Sequence, residues 1–245
     1  MEKFSATAFY DIAATLQRMH EGNVDPNERV SPDSKLVTTF LPTIQKRCAE
    51  IGLHLAEKAV SRVITELSDG KRSTKGFQTI IPEIHRRITD EMEEKLFMYV
   101  PPEQAAFYNQ PELFGKEVNA KFPTIQFDGV EAGNSYACGR GTASVFHLMR
   151  IMEVGVQQFG AALSIKLTDQ KNWQNILDEI NKALKARDPK DPHTKELCQA
   201  SANLYAVKLA WRNEVMHPKE TYTLEEAKNL LSQVELFMRH LATVL

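Results

Sequence analysis

Apolar residues recur at steps of three and four along most of this chain, and this spacing constrains the fold more than any other feature. The clearest run consists of Val145, Met149, Met152, Val156, Phe159 and Leu163. Residues at these steps share one face of an α-helix, whereas a half-buried strand alternates every second residue. Glycine is scarce, with 11 in 245 residues, and alternation of β-branched residues is almost absent. The sequence therefore predicts an all-α protein whose helices each bury an apolar stripe.

Turn residues divide the first half of the chain into three predicted helical stretches, at about residues 5–20, 35–68 and 75–95. The long second stretch closes at Asp69-Gly70. Its expected core stripe consists of Leu41, Ile44, Cys48, Ile51 and Leu55. Residues 96–127 form an irregular connection, and we expect its aromatic side chains to pack onto the helices: Phe107, Tyr108, Phe114 and Phe122.

The second half of the chain has sharper helix signals. Asp191 and Pro192 suit the N-cap and first turn of one helix, and Thr223 with Glu226 forms a capping box for the last. Pro123 marks the change to regular helices. We therefore predict an N-terminal helical region at 1–125, whose role the sequence does not indicate, and a helical bundle at 126–245.

The composition limits the classes of function. A formal net charge of −2 gives no global basic footprint, which counts against a sequence-tolerant DNA binder but leaves room for an RNase with few phosphate contacts. Cys48, Cys138 and Cys198 show no pairing pattern and suggest reduced core residues of a cytoplasmic protein. The sequence shows no signal peptide and no long apolar run, so we expect no membrane association.

Common cofactor and metal motifs are missing from the sequence. There is no Gly-x-Gly-x-x-Gly, no Gly-x4-Gly-Lys-Ser/Thr and no His-Glu-x-x-His, so no nucleotide cofactor or metal is expected. The acidic run at 90–94 is interpreted as a solvated face, because its carboxylates are neighbours and do not converge. Gly139 and Gly141 fit no phosphate motif and are expected to ease close helix packing or to mark a kink.

Arg212, Asn213 and His217 form the strongest candidate for a site. The His can move a proton near neutral pH, and the Arg can hold a phosphate through two parallel hydrogen bonds. On one regular helix Arg212 and His217 would lie about 140° apart. Either the helix loosens before Pro218, or a second copy of the chain completes the site. The alternative is an ordinary helix end, where cations complement the helix dipole.

Three further polar residues lie on one helix, away from its apolar seam: His147, Arg150 and Glu153. We take them as candidates that support the site. Arg150 and Glu153 are three residues apart, so a simple ion pair between them is the alternative interpretation.

These features resemble the HEPN superfamily, helical bundles defined by an Arg-x4–6-His motif that often reads Arg-Asn-x-x-x-His. Here the motif stands at Arg212, Asn213 and His217, near the end of the penultimate predicted helix, and residues 143–153 resemble the family's first helix. That helix usually brings a polar or acidic residue to the site. The resemblance covers about 128–245 and implies a bundle of four to five helices. Lys219 stands where toxin members often carry a Tyr, two residues after the His.

The resemblance implies a metal-independent endoribonuclease, a toxin or antiviral effector that cleaves RNA and works as a homodimer. In that reading His217 moves a proton, Arg212 stabilises charge on the phosphoryl oxygens, and Asn213 fixes the His or a phosphate. An antitoxin or another defence-system protein is the implied partner. The alternatives are a non-catalytic HEPN-like component that binds RNA or protein, and a purely structural helical scaffold.

Overall fold

The computed structural model describes residues 6–21, 30–69, 80–165, 173–208 and 221–245. This part of the chain holds eleven α-helices and no strand, which confirms the predicted all-α class. The chain divides into two compact units, Met1–Met98 (the N-terminal unit) and Tyr99–Leu245 (the C-terminal unit). None of the helices in the described ranges combines the length and the apolar character that crossing a membrane requires.

The described residues of the N-terminal unit contain four α-helices: α1 (Ala6–Glu21), α2 (Leu41–Glu50), α3 (His54–Ser68) and α4 (Ile80–Glu93). A short π-helical segment, Leu36–Phe40, leads directly into α2. α2 packs against α1 and α3, and α4 packs against α3 and α1, so these four helices enclose one apolar core.

Gly52 breaks the long helical stretch that the sequence predicts at 35–68. Its φ of 69° lies in the left-handed region that glycine adopts without strain. The amide of Gly52 donates to the carbonyl of Ala49, and the amide of Leu53 donates to that of Cys48, the pattern of a Schellman helix end. The stretch is therefore two helices that pack against each other.

The break also corrects the predicted core stripe. Leu41, Ile44, Cys48 and Ile51 are fully buried, as expected. Leu55 is 59% exposed, because the turn at Gly52 resets the phase of the apolar face. Leu53 and Ala56 take the buried positions instead.

The described residues of the C-terminal unit contain seven α-helices: α5 (Pro102–Ala105), α6 (Lys116–Lys121), α7 (Gln126–Ala137), α8 (Gly141–Ala162), α9 (Trp173–Lys185), α10 (Pro192–Val207) and α11 (Leu224–Val244). Helices α7, α9 and α11 pack against the central α8, and α10 packs against α9 and α11, so these five helices pack as a bundle. The short helices α5 and α6 and a 3-10 turn at Pro123–Ile125 precede them.

The connection at 99–125 belongs to the C-terminal unit. Phe114 and Phe122 are buried in its core, as expected of these aromatics, and Phe107 packs against it. The Arg239 guanidinium on α11 donates to the Phe114 carbonyl at 3.2 Å. The compact unit therefore begins before the predicted boundary at 125/126, because the connection contributes to the same core.

Both predicted helix starts in this unit are confirmed. The Asp191 carboxylate accepts hydrogen bonds from the amide and hydroxyl of Thr194, which lower its pKa. Thr223 and Glu226 exchange the two bonds of a capping box at the start of α11. These bonds satisfy amide groups that the first turn of a helix leaves without an internal partner.

Candidate functional site

A buried carboxylate lies between α7 and α8. Asp128 on α7 is 7% exposed, and its Oδ1 accepts a hydrogen bond from Arg150 Nε at 2.8 Å. The same oxygen lies 2.8 Å from Nδ1 of His147. His147 and Arg150 are three residues apart on α8, so both side chains reach the carboxylate from one helix face. We call these three residues the Asp128 cluster.

The cluster fixes the orientation of both basic side chains. An ionised carboxylate only accepts hydrogen bonds, so Nδ1 of His147 donates to Asp128. Nε2, the second ring nitrogen, takes no part in this hydrogen bond. A guanidinium has five N–H groups, and the bond from Nε of Arg150 uses one of them. A buried charge is costly unless it is paired, and the Arg150 guanidinium compensates that cost for Asp128, while His147 adds a second hydrogen bond.

A surface cleft of about 570 Å³ adjoins this cluster at the N-terminal end of α8. His147 is one of its lining residues, so the ring that Asp128 orients borders an accessible space. The lining residues are Gly139, Arg140, Gly141, Thr142, Ala143, Phe146, His147 and Tyr222.

The residue Tyr222 is anchored at the edge of this cleft. Its amide donates to the Thr142 hydroxyl at 2.8 Å. A Cβ atom on Gly141 would lie 2.5 Å from the Tyr222 carbonyl oxygen, so only glycine permits this approach of the two backbones. The expectation of close packing is therefore confirmed at Gly141, whereas a Cβ atom on Gly139 would meet nothing within 4 Å. The start of α11 next to Tyr222 is held by Glu226, whose pKa is lowered by hydrogen bonds from the amide and hydroxyl of Thr223.

The residues of the predicted site have different outcomes. Arg212, Asn213 and His217 fall within 209–220, outside the described residues, and remain a sequence prediction. His147 and Arg150 are brought together by Asp128. Glu153 is exposed. The alternative pairing of Arg150 with Glu153 is not found, since Arg150 pairs with Asp128 instead.

Asp128 is the member of the site that the sequence interpretation missed. A usable signal was present, because Asp128, Ala132 and Tyr136 follow one another at steps of four. All three are buried on one face of α7. An acidic residue on an otherwise apolar stripe must find a partner inside the fold, which marks it for attention.

The other titratable clusters can be described briefly. In the part of the chain that the structure describes, no group of three or more His, Cys, Asp or Glu side chains could hold a metal ion. The acidic end of α4 is only partly the solvated face that was expected: Glu91 accepts hydrogen bonds from the amides of Leu55 and Ala56 in the first turn of α3. Burial raises the pKa of Cys48 to about 12, whereas Cys198 is exposed rather than in the core.

Comparison with known proteins identifies no relative. No protein-family model matches the chain, and neither a curated protein nor a solved structure shows significant similarity to it.

Proposed function

We propose that this chain is a metal-independent endoribonuclease of the HEPN type that cleaves RNA as a homodimer in the cytoplasm. The proposal begins from the Arg212, Asn213 and His217 motif of the sequence. The structural observation that supports it best is the Asp128 cluster beside the cleft. A buried carboxylate that orients a histidine toward an accessible space is typical of acid–base sites.

The position of Tyr222 connects the motif to the cleft. Tyr222 lines the cleft and follows His217 by five residues. The Cα atoms of residues five apart are separated by at most about 18 Å in any conformation. The short chain between them therefore allows His217 to reach the cleft, which supports a shared site there.

The proposed reaction is an internal transesterification. The 2′-oxygen of a ribose attacks the adjacent phosphorus, the bond from phosphorus to the 5′-oxygen breaks, and the products are a 2′,3′-cyclic phosphate and a 5′-hydroxyl. His217 takes the proton of the 2′-hydroxyl or supplies one to the leaving oxygen. Arg212 stabilises the charge that develops on the phosphoryl oxygens, and Asn213 fixes the His or a phosphate.

The reaction needs one base and one acid, and two copies of the chain would supply two copies of His217. A two-fold homodimer therefore accounts for a single motif in the sequence and for the separation of about 140° between Arg212 and His217 on a regular helix. In this assembly the Asp128 cluster would support the motif by presenting His147 and Arg150 to the substrate phosphates.

The proposal extends to the biological setting. A toxin or antiviral effector of this kind is held in check by an antitoxin or another protein of a defence system, and such a partner belongs to the same proposal. A non-catalytic HEPN-like component that binds RNA or protein would keep the same residues. Cleavage of RNA separates the two.

Replacing His217 tests the proposed activity. We expect His217→Ala to lower the rate of RNA cleavage by roughly 10²- to 10⁴-fold, the usual contribution of a general acid or base, while the melting temperature stays nearly unchanged. The measurement is gel analysis of a labelled single-stranded RNA, with EDTA present, and end-group analysis for the cyclic phosphate. His193→Ala is the matched control, because His193 is an exposed histidine in the same unit.

Two results would contradict the proposal. Equal cleavage by the parent and His217→Ala would remove His217 from the reaction. Cleavage that disappears in EDTA and returns with magnesium would show that the reaction requires a metal ion.

A further inference from the structure

Two exposed phenylalanines flank the histidine of the Asp128 cluster. Phe127 on α7 is 66% exposed, and Phe146 on α8 is 45% exposed. Their ring centroids lie 6.3 and 5.8 Å from that of His147, at interplanar angles of 75° and 79°. The three rings thus form a continuous aromatic surface with edge-to-face contacts.

The position of these rings distinguishes them from ordinary exposed apolar residues. Tyr205 and Leu236 are also exposed in the C-terminal unit, and single residues of this kind are common on protein surfaces. Phe127 and Phe146 instead adjoin the same oriented histidine, and Phe146 lines the cleft. Two large exposed rings next to one histidine lose the free energy that burial would give them. Such an exposed apolar patch is typical of a binding surface.

Two arginines give this aromatic surface a positive border. Arg150 lies four residues after Phe146 on α8, its side chain is 56% exposed, and its Nε is fixed by Asp128. Arg140 lines the cleft at the start of α8. Asp128 pairs with Arg150 through Nε and leaves more than half of that side chain exposed, and the exposed Glu153 lies one turn beyond Arg150.

We propose that Phe127 and Phe146 are a stacking platform for the bases of single-stranded RNA, with Arg140 and Arg150 contacting its phosphates. Every base has a π-face that stacks on an aromatic ring, and phosphates require cations close by. A duplex hides those faces, so the platform selects unpaired nucleotides. The inference rests on the proposed function for its choice of RNA. It adds the conformation of the substrate and the residues that hold it.

The binding experiment uses the full-length chain and a probe that the proposed reaction cannot cleave. The probe is a fluorescein-labelled ten-nucleotide 2′-O-methyl RNA, whose blocked 2′-oxygens cannot attack the phosphorus. Fluorescence anisotropy measures its Kd. We expect Phe127→Ala and Phe146→Ala each to raise the Kd roughly 5- to 150-fold, the effect of losing one stacked base.

Matched variants identify the cause of the change. Tyr205→Ala and Leu236→Ala remove exposed apolar side chains elsewhere in the same unit and should leave the Kd unchanged. Phe146→Trp should retain binding, because it keeps an aromatic face. Phe146→Leu should weaken binding, although it keeps an apolar side chain and disturbs folding little. Arg140→Gln should reduce the slope of log Kd against log salt by about 0.7, one phosphate contact to a single strand.

The outcomes separate this inference from the proposed function. If the phenylalanine variants bind the probe like the parent while His217→Ala abolishes cleavage, the platform is refuted and the ribonuclease stands. If the variants lose binding while the parent cleaves no RNA, the platform stands and the proposed activity falls. If the phenylalanine variants keep their RNA affinity but turn a dimer into a monomer in light scattering, the surface joins two copies of the chain and the inference is overturned.

Discussion

The two units of this chain differ in what they bury. Among the described residues of the N-terminal unit, Thr15 is the one buried polar residue, and the remaining core is aliphatic. Among its described residues, the C-terminal unit buries four polar ones: Asp128, Ser144, Thr194 and Ser201. The N-terminal unit places its charged contacts nearer the surface, as in the pair of Arg47 with Asp11 at 2.7 Å.

Each of these four side chains of the C-terminal unit has a defined hydrogen-bond partner. The Ser144 hydroxyl donates to the Ala132 carbonyl at 2.9 Å, and the Ser201 hydroxyl donates to Asn181 Oδ1 at 3.1 Å. A buried polar group without a hydrogen-bond partner lowers the stability of the fold. Few other arrangements of the surrounding side chains are therefore possible. An aliphatic core requires only apolar volume. The side chains whose positions are fixed most narrowly, as a functional site requires, are therefore concentrated in the C-terminal unit.

Truncation of the aliphatic core should produce the largest change in stability. We expect Ile51→Ala to lower the free energy of unfolding by about 2–5 kcal/mol, because Ile51 is fully buried. Leu55→Ala should change it by less than about 0.5 kcal/mol, because Leu55 is mostly exposed after the turn at Gly52. Chemical denaturation followed by circular dichroism measures both values. A large cost at Leu55 would mean that α2 and α3 continue as one helix.

Removing one carboxylate from each unit tests the comparison directly. Asp128→Ala should cost about 1–3 kcal/mol, because it removes the buried acceptor of His147, whose side chain is 20% exposed, and of the more exposed Arg150. Asp11→Ala should cost about 0–1 kcal/mol, because the Asp11–Arg47 pair is partly exposed to solvent. The same denaturation measurement applies to both. Equal losses in the free energy of unfolding would show that burial does not make the Asp128 cluster more stabilising than the exposed pair.

The smallest expected change in stability is its dependence on pH, to which two carboxylates with a lowered pKa contribute. Hydrogen bonds from Thr223 lower the pKa of Glu226, and a hydrogen bond and charge from Arg87 lower that of Glu83. A lowered pKa in the folded state stabilises the protein above the ordinary value of 4.5, and that contribution is lost as the pH falls through the lowered value. Both groups therefore favour the folded state at neutral pH.

The pKa values of these two carboxylates should respond differently to salt. At 1 M salt charges are screened beyond about 3 Å, so the pKa of Glu83 should move toward its ordinary value. The pKa of Glu226 should move less, because its largest cause is a backbone hydrogen bond. Carboxyl carbon NMR titrations at low and high salt give both values. The expectation fails if Glu226 proves the more sensitive of the two.

Much of the fold could be predicted from local signals. The apolar stripe of α8 from Val145 to Phe159 and the caps at Asp191 and Thr223 are as expected, since helix hydrogen bonds and caps join residues that are close in sequence. The missed break at Gly52 is also local, and its glycine was a readable signal. Of the candidate site, His147 and Arg150 could be chosen from the sequence as polar residues on one helix.

The helical class and the two capped helix starts, at Asp191 and Thr223, follow from the sequence alone, as does the Arg212 to His217 motif, which remains a prediction. Only the tertiary structure decided that Asp128 meets His147 and Arg150, which lie 19 and 22 residues away. It also decided that Gly141 touches the backbone of Tyr222 and that Phe127 and Phe146 flank one histidine. Periodicity fixes which face of a helix is apolar. How the helices pack decides which residue becomes the partner of a polar side chain on that face.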